Sequence, residues 1–139
     1  MSSPAWQFEY SVECNASRLF AWKYWTNVAN WNDPPATFEL SGPFQAGAEL
    51  TTTLPDQTWH SVIEHVDPEQ EAVIEMQLVD AVLSFHWKFE EITGNRSRIL
   101  QQLRLTGANA NTYLDKVAVF EQSVPRGMTR LARLIEQAD

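Results

Sequence analysis

The chain has 139 residues, of which 44% are hydrophobic, the scale of one domain with a core of its own. A net charge of −8 and a pI of about 4.8, with no basic run, argue against nucleic acid and anionic membrane surfaces as partners. The lone cysteine, Cys14, excludes an intrachain disulfide, and no window approaches the eighteen or so apolar residues of a membrane span.

The opening MSSPAWQFEYS has neither a basic stretch nor an apolar one, so no signal peptide is expected and a cytoplasmic protein is the default. Trp6 to Glu13 alternates, with Trp6, Phe8, Tyr10 and Val12 against Gln7, Glu9, Ser11 and Glu13, and predicts a half-buried strand. Asn15 to Ser17 offers a helix cap, and Arg18 to Trp25 follows as a short helix. A second helical piece over Asn27 to Trp31 is closed by Asn32, Asp33, Pro34 and Pro35.

Strands are then predicted over Thr37–Ser41, Ala48–Leu54, Gln57–Val66, Ala72–Val79, Val82–Ile92 and Arg98–Thr106. Turn residues punctuate them: Gly42 with Pro43, Pro55 with Asp56, Asp67 with Pro68, then Asp80. The turn at Thr93 to Asn95 is expected to use the tolerance of Gly94 and Asn95 for positive φ. Alternation is cleanest in Val82–Ile92, where Leu83, Phe85, Trp87 and Phe89 share a face. In Gln57–Val66 neither face is clearly inward.

The last segment, Thr112 to Ala138, is the one long stretch with helical periodicity. Leu114, Val117, Ala118, Val124, Met128, Leu131 and Ile135 form an apolar stripe, with Thr112 as a candidate N-cap. Pro125 lies inside the pattern and predicts a kink or a split there. Glu121 falls within the stripe. It either lies at the stripe's edge with its head in water or points into a cavity, where burial would raise its pKa as a general acid requires.

The fold class expected is α+β: one twisted antiparallel sheet of about seven strands wrapped around the long C-terminal helix, in a single domain over residues 1–139. A one-sided sheet must cover its apolar face, and the space between sheet and helix is the natural ligand site.

This order resembles the START-like, or SRPBCC, superfamily with its helix-grip fold, closest to the polyketide cyclase/dehydrase-like branch. The likeness spans nearly the whole chain. It is carried by the first strand with the Asn15–Ser17 helix start, the Asn27–Trp31 piece with its proline exit, Gly42 to Phe44 with Gly47, and Val66 to Pro68. Leu83 to Phe85, Leu105 to Gly107, and Pro125 to Met128 with Arg130 and Leu131 complete it. The resemblance implies a cavity for a small hydrophobic molecule, or cyclase/dehydratase chemistry, or a protein-interaction role like that of chaperone activators. Relatives of this kind often carry a histidine at the inward positions held here by Trp87 and Gln101, and its absence weighs against acid–base chemistry.

The expected lining is Gln101, Trp87, Phe85, Phe89, Met76, Trp59, Val117, Val124 and Met128, with Trp31, Pro34 and Pro35 near the entrance. Gln101 stands out as an amide in a row of Ile99, Leu103 and Leu105, because a buried polar group must bond to something. In the catalytic reading Glu121 is the acid or base, and Gln101 or Tyr113 binds a developing oxyanion. His60, His65 and His86 have no metal-ligand spacing, and neither phosphate-loop nor GxSxG patterns occur, so neither metal nor cofactor is expected. The expected partner is a small hydrophobic ligand, the expected state a monomer or homodimer.

Overall fold

A computed structural model describes residues 3–31 and 34–139. The start of the N-terminal segment and the Asn32–Asp33 part of the expected helix stop lie outside the described residues. Seven strands, β1 (Trp6–Cys14), β2 (Thr37–Leu40), β3 (Glu49–Thr53), β4 (Thr58–Asp67), β5 (Glu71–Leu78), β6 (Ala81–Thr93) and β7 (Arg96–Thr106), form one antiparallel sheet. Their order is β1-β7-β6-β5-β4-β3-β2, so five successive hairpins are closed by the first strand pairing with the last.

Period-two alternation across this register builds one continuous inner face. One row runs Tyr10, Gln101, Trp87, Ala72, Val66; the next runs Phe8, Leu103, Phe85, Ile74, Ile63; a third runs Trp6, Leu105, Leu83, Met76, Ser61, Leu50, Leu40. The ambiguity in β4 has a physical cause. A register shift between Ile63 and His65 adds one residue, so Trp59, Ser61 and Ile63 face inward before it and Val66 after it. His60 and His65 are exposed.

The β6–β7 turn departs from expectation. Neither Gly94 nor Asn95 has positive φ; a register shift between Glu91 and Thr93 takes up the twist instead. The β4–β5 and β5–β6 turns each hold a non-glycine residue at positive φ, Glu69 at 66° in the first. In the second Asp80 has φ 55°, and Gly107, at φ 117°, presses its Cα against this turn so closely that a Cβ would stand 2.6 Å from the Ala81 Cα. Asn109 then donates its backbone N–H to the Asp80 carbonyl at 2.9 Å, and the Tyr113 hydroxyl accepts from the Val79 N–H at 3.1 Å.

Helix α1 (Arg18–Trp25) begins where the Ser17 hydroxyl accepts the Phe20 N–H, 3.1 Å away. The C-terminal segment is not one helix from Thr112. A 3₁₀ turn (Ala110–Tyr113) and a single turn α2 (Leu114–Val117) precede the long α3 (Phe120–Ala138). Thr112 bonds Asn109 rather than capping α3. The break falls at Ala118–Val119, not at Pro125, and α3 stays helical through the proline. The carbonyl that loses its partner to Pro125 is that of Glu121, an exposed residue, so water can satisfy it.

The break lets the two pieces serve different cores. Val117 packs with Ala81, Leu83, Leu105 and Ala110, whereas Val124, Met128, Ala132 and Ile135 join the main cluster with Ile63, Ile99 and Leu103. The sheet is also covered by more than the long helix. Trp25 of α1, 2% exposed, has its rings within 4.9–5.8 Å of those of Trp87, Phe44, Phe89, Trp22 and Trp31, and this aromatic block fills one end of the inner face.

Candidate functional site

Beyond that block the inner face is not sealed. Phe85 and Trp87 sit mid-sheet on β6, with β5 and β7 on either side, yet both are only half-buried, as are Phe8 and Tyr10 on β1, Met76 on β5 and Trp59 on β4. A face fully covered by a helix would bury its central rings. The helix side contributes Phe120, whose ring meets Phe85 edge-on at 5.8 Å, and Val124 behind it. The middle of the inner face is thus a partly exposed apolar stretch bordered by aromatic rings, and this is the candidate cleft.

Gln101 stands in this cleft between Tyr10 and Trp87 in the cross-strand row. It is 6% exposed, and among the described residues no group hydrogen-bonds its side-chain amide. The amide is not fully enclosed either, since Ser97 Oγ is the one unbonded polar side-chain atom shut off completely from solvent among the described residues. An amide so placed offers two donors and one carbonyl acceptor to whatever enters the cleft.

The other expected lining residues divide. Phe85, Trp87, Met76 and Trp59 reach the cleft. Val124, 8% exposed, and Met128, 2% exposed, are packed into the main core cluster. Phe89 is sealed under Trp22 and Trp25, and Val117 belongs to the second cluster. Trp31 donates its indole N–H to the Trp25 carbonyl at 2.6 Å and stacks on Trp25, which puts it at the edge of the aromatic block. Pro34 and Pro35 beside it are exposed.

Glu121 takes the edge position of the two that its spacing allowed. Its residue is exposed, and its carboxylate accepts the Trp6 indole N–H at 2.9 Å. It stands in the first turn of α3, where the helix end leaves its carboxylate free to lean towards Trp6 at the edge of the sheet. Tyr113 is spent on the Val79 N–H, away from Gln101. Tyr10, Phe8 and Phe120 are lining residues that the sequence reading passed over. The alternation of β1 marked the first two as inward, and pairing β1 with β7 would have set Tyr10 beside Gln101.

The remaining chemistry-bearing groups lie elsewhere. On the outer face Glu71 stands between His86 Nε2, at 3.2 Å, and His65 Nε2, at 3.6 Å. Nearby Glu75 has its carboxyl raised by burial and by the Glu64 charge. An open groove of about 340 Å³ at the sheet end is lined by Arg18, Lys88, Glu90 and Glu91 among others, with both signs mixed. Among the described residues no group of His, Cys, Asp and Glu is arranged to hold a metal ion, and no helix is long and apolar enough to cross a membrane. Cys14 is buried, its thiol pushed up to about 11 by burial and then by Glu136 and Asp139.

No family model matches the sequence, and no curated protein matches it. Solved structures do match in shape. Norcoclaurine synthase from Thalictrum flavum, solved with dopamine and hydroxybenzaldehyde, superposes with a TM-score of 0.74 at 12% identity, over 96% of this chain and 88% of that one. The Zhui aromatase/cyclase from a Streptomyces species gives 0.72 at 16% identity, over 95% and 94%. A protein from Arthrobacter aurescens, solved in solution, gives 0.71 at 18% identity, over 94% and 86%. At such identities the likeness is one of fold. The helix-grip architecture expected from the START-like resemblance is the architecture of this chain.

Proposed function

We propose that this protein binds a small hydrophobic molecule in the cleft between the sheet and α3. The observation that carries the reading is Gln101: a 94% buried amide with no hydrogen bond among the described residues, set in the inner apolar face of the sheet beside half-buried Tyr10 and Trp87. A buried polar group left unpaired costs about 1–3 kcal/mol, so the position makes physical sense when a bound molecule or water completes it. Phe85, Trp87, Met76 and Trp59 supply the apolar contact and Gln101 the orienting bond, the usual division of labour in ligand pockets. The neighbours in fold include a synthase solved with two aromatic compounds and an aromatase/cyclase, which is consistent with an aromatic-walled site.

Binding, rather than acid–base turnover, is the reading favoured by the position of Glu121. A general acid must reach the reacting atom, and this carboxylate is exposed at the rim and engaged by Trp6. The test is titration with Nile red, an uncharged fluorophore, together with native mass spectrometry of the purified protein. Saturable one-to-one binding that weakens at least tenfold in Trp87→Ala is expected. Binding that fails to saturate, or that ignores the Trp87 substitution in a folded variant, would remove the cleft as the site.

A further inference from the structure

The middle of the inner face carries polar groups but no charge. Across β1 to β7 its positions are Trp6, Phe8, Tyr10 and Val12, then Ile99, Gln101, Leu103 and Leu105, then Leu83, Phe85, Trp87 and Phe89, and the far strands continue with Ile74, Met76, Ser61, Ile63 and Leu50. Gln101, Ser61 and the Tyr10 hydroxyl are the polar side chains nearest its middle. Among the described strand positions of this face the one charged residue is Glu91, where β6 ends, and Glu121 of α3 stands beside Trp6 at the rim; both are exposed. Both are acidic, in a chain of net charge −8.

From this we infer that the molecule seated in the cleft is uncharged and aromatic, with a single hydroxyl, carbonyl or amide group that meets the Gln101 amide. The inference rests on the binding reading above. A carboxylate or phosphate drawn to the position of Gln101 would lose its hydration and find no cation there, and an unpaired buried charge is far more costly than an unpaired dipole. The acidic rim adds repulsion on approach. An amide, by contrast, serves a neutral group equally well as donor or acceptor. Rings are favoured over flexible chains because the walls are flat faces and edges: Phe85 against Phe120, Trp87 against Trp25.

The experiment compares three molecules of one shape as displacers of Nile red near neutral pH: 2-naphthol, naphthalene and 2-naphthoate. The expected order is naphthol first, naphthalene about tenfold weaker for want of a polar group, and ionised naphthoate weaker than both. In Gln101→Leu the advantage of naphthol over naphthalene should vanish. Naphthoate displacing the dye as well as naphthol does, with binding still dependent on Trp87, overturns the inference while leaving the cleft intact. Equal displacement by naphthol and naphthalene in the unmodified protein overturns the role of Gln101, and this comparison needs no variant. Failure of Nile red itself to bind strikes instead at the binding reading.

Discussion

Replacing Gln101 by leucine should stabilise the empty protein while it weakens ligand binding. The side chain is 94% buried in the row Ile99, Leu103, Leu105, all of them 0% exposed, and no described residue hydrogen-bonds its amide. Leucine has a similar volume and no polar atoms, so the substitution removes the desolvation penalty without opening a cavity. An orphaned amide costs about 1–3 kcal/mol. The remaining access of this one lets water recover part of that, so a gain of about 1 kcal/mol is expected. For a domain of this size that corresponds to a rise of roughly 3–6 °C in Tm. Urea unfolding followed by tryptophan fluorescence measures the gain directly, with an unchanged slope showing that the native state has not loosened. A loss of 1 kcal/mol or more on Gln101→Leu in ligand-free protein would mean that the amide is satisfied within the fold, and the main support for the cleft as a binding site would go with it.

Three other outcomes follow from the geometry. Gly107→Ala should cost roughly 2–4 kcal/mol, because it combines a disallowed φ with a Cβ 2.6 Å from the Ala81 backbone, and neither can relax without moving the β5–β6 turn; denaturant midpoints check it, and a loss below about 0.5 kcal/mol would show that the turn yields easily. Trp25→Ala should cost about 3–5 kcal/mol and also change dye binding, since Trp25 fixes the Trp87 ring at 4.9 Å between centroids; unchanged dye affinity in the folded variant would separate the aromatic block from the cleft. The Cys14 thiol, pushed up from 9.0 to about 11, stays protonated in the folded protein while the unfolded chain ionises near 9.0. The native state then holds more protons, so stability should fall as pH rises from about 9 to 11, by at most about 2–3 kcal/mol, with no contribution below that window. Comparison with Cys14→Ala, which should lack this loss, isolates the effect.

Much of this architecture can be read from residue order, and the parts that cannot have identifiable causes. Helix α1 is legible to the residue because Ser17 caps it and its apolar positions are dense. The strands of β5, β6 and β7 announce themselves by alternation against neighbours that alternate too. β4 does not, because one extra residue at the Ile63–His65 shift splits its inward set between two parities. The aromatic block escapes because it depends on α1 folding back over β6, a long-range packing choice that six tryptophans permit without specifying.

Glu121 and Gln101 show why two polar residues in apolar patterns have different fates. On the wheel of α3 itself Glu121 shares the side of Val124 and Met128, but it stands in the first turn, just after the break at Ala118–Val119. A long side chain at a helix end is free to lean out to the rim, and there its carboxylate accepts the Trp6 indole N–H. A central strand has no such freedom. Gln101 is paired on both sides, with Tyr10 and with Trp87, and its parity is locked by Ile99, Leu103 and Leu105, all fully buried. The chain can place a carboxylate at a helix edge at little energetic penalty, but it keeps an amide at the centre of the sheet only against a standing penalty. The residue that bears that penalty is where a ligand has the most to contribute.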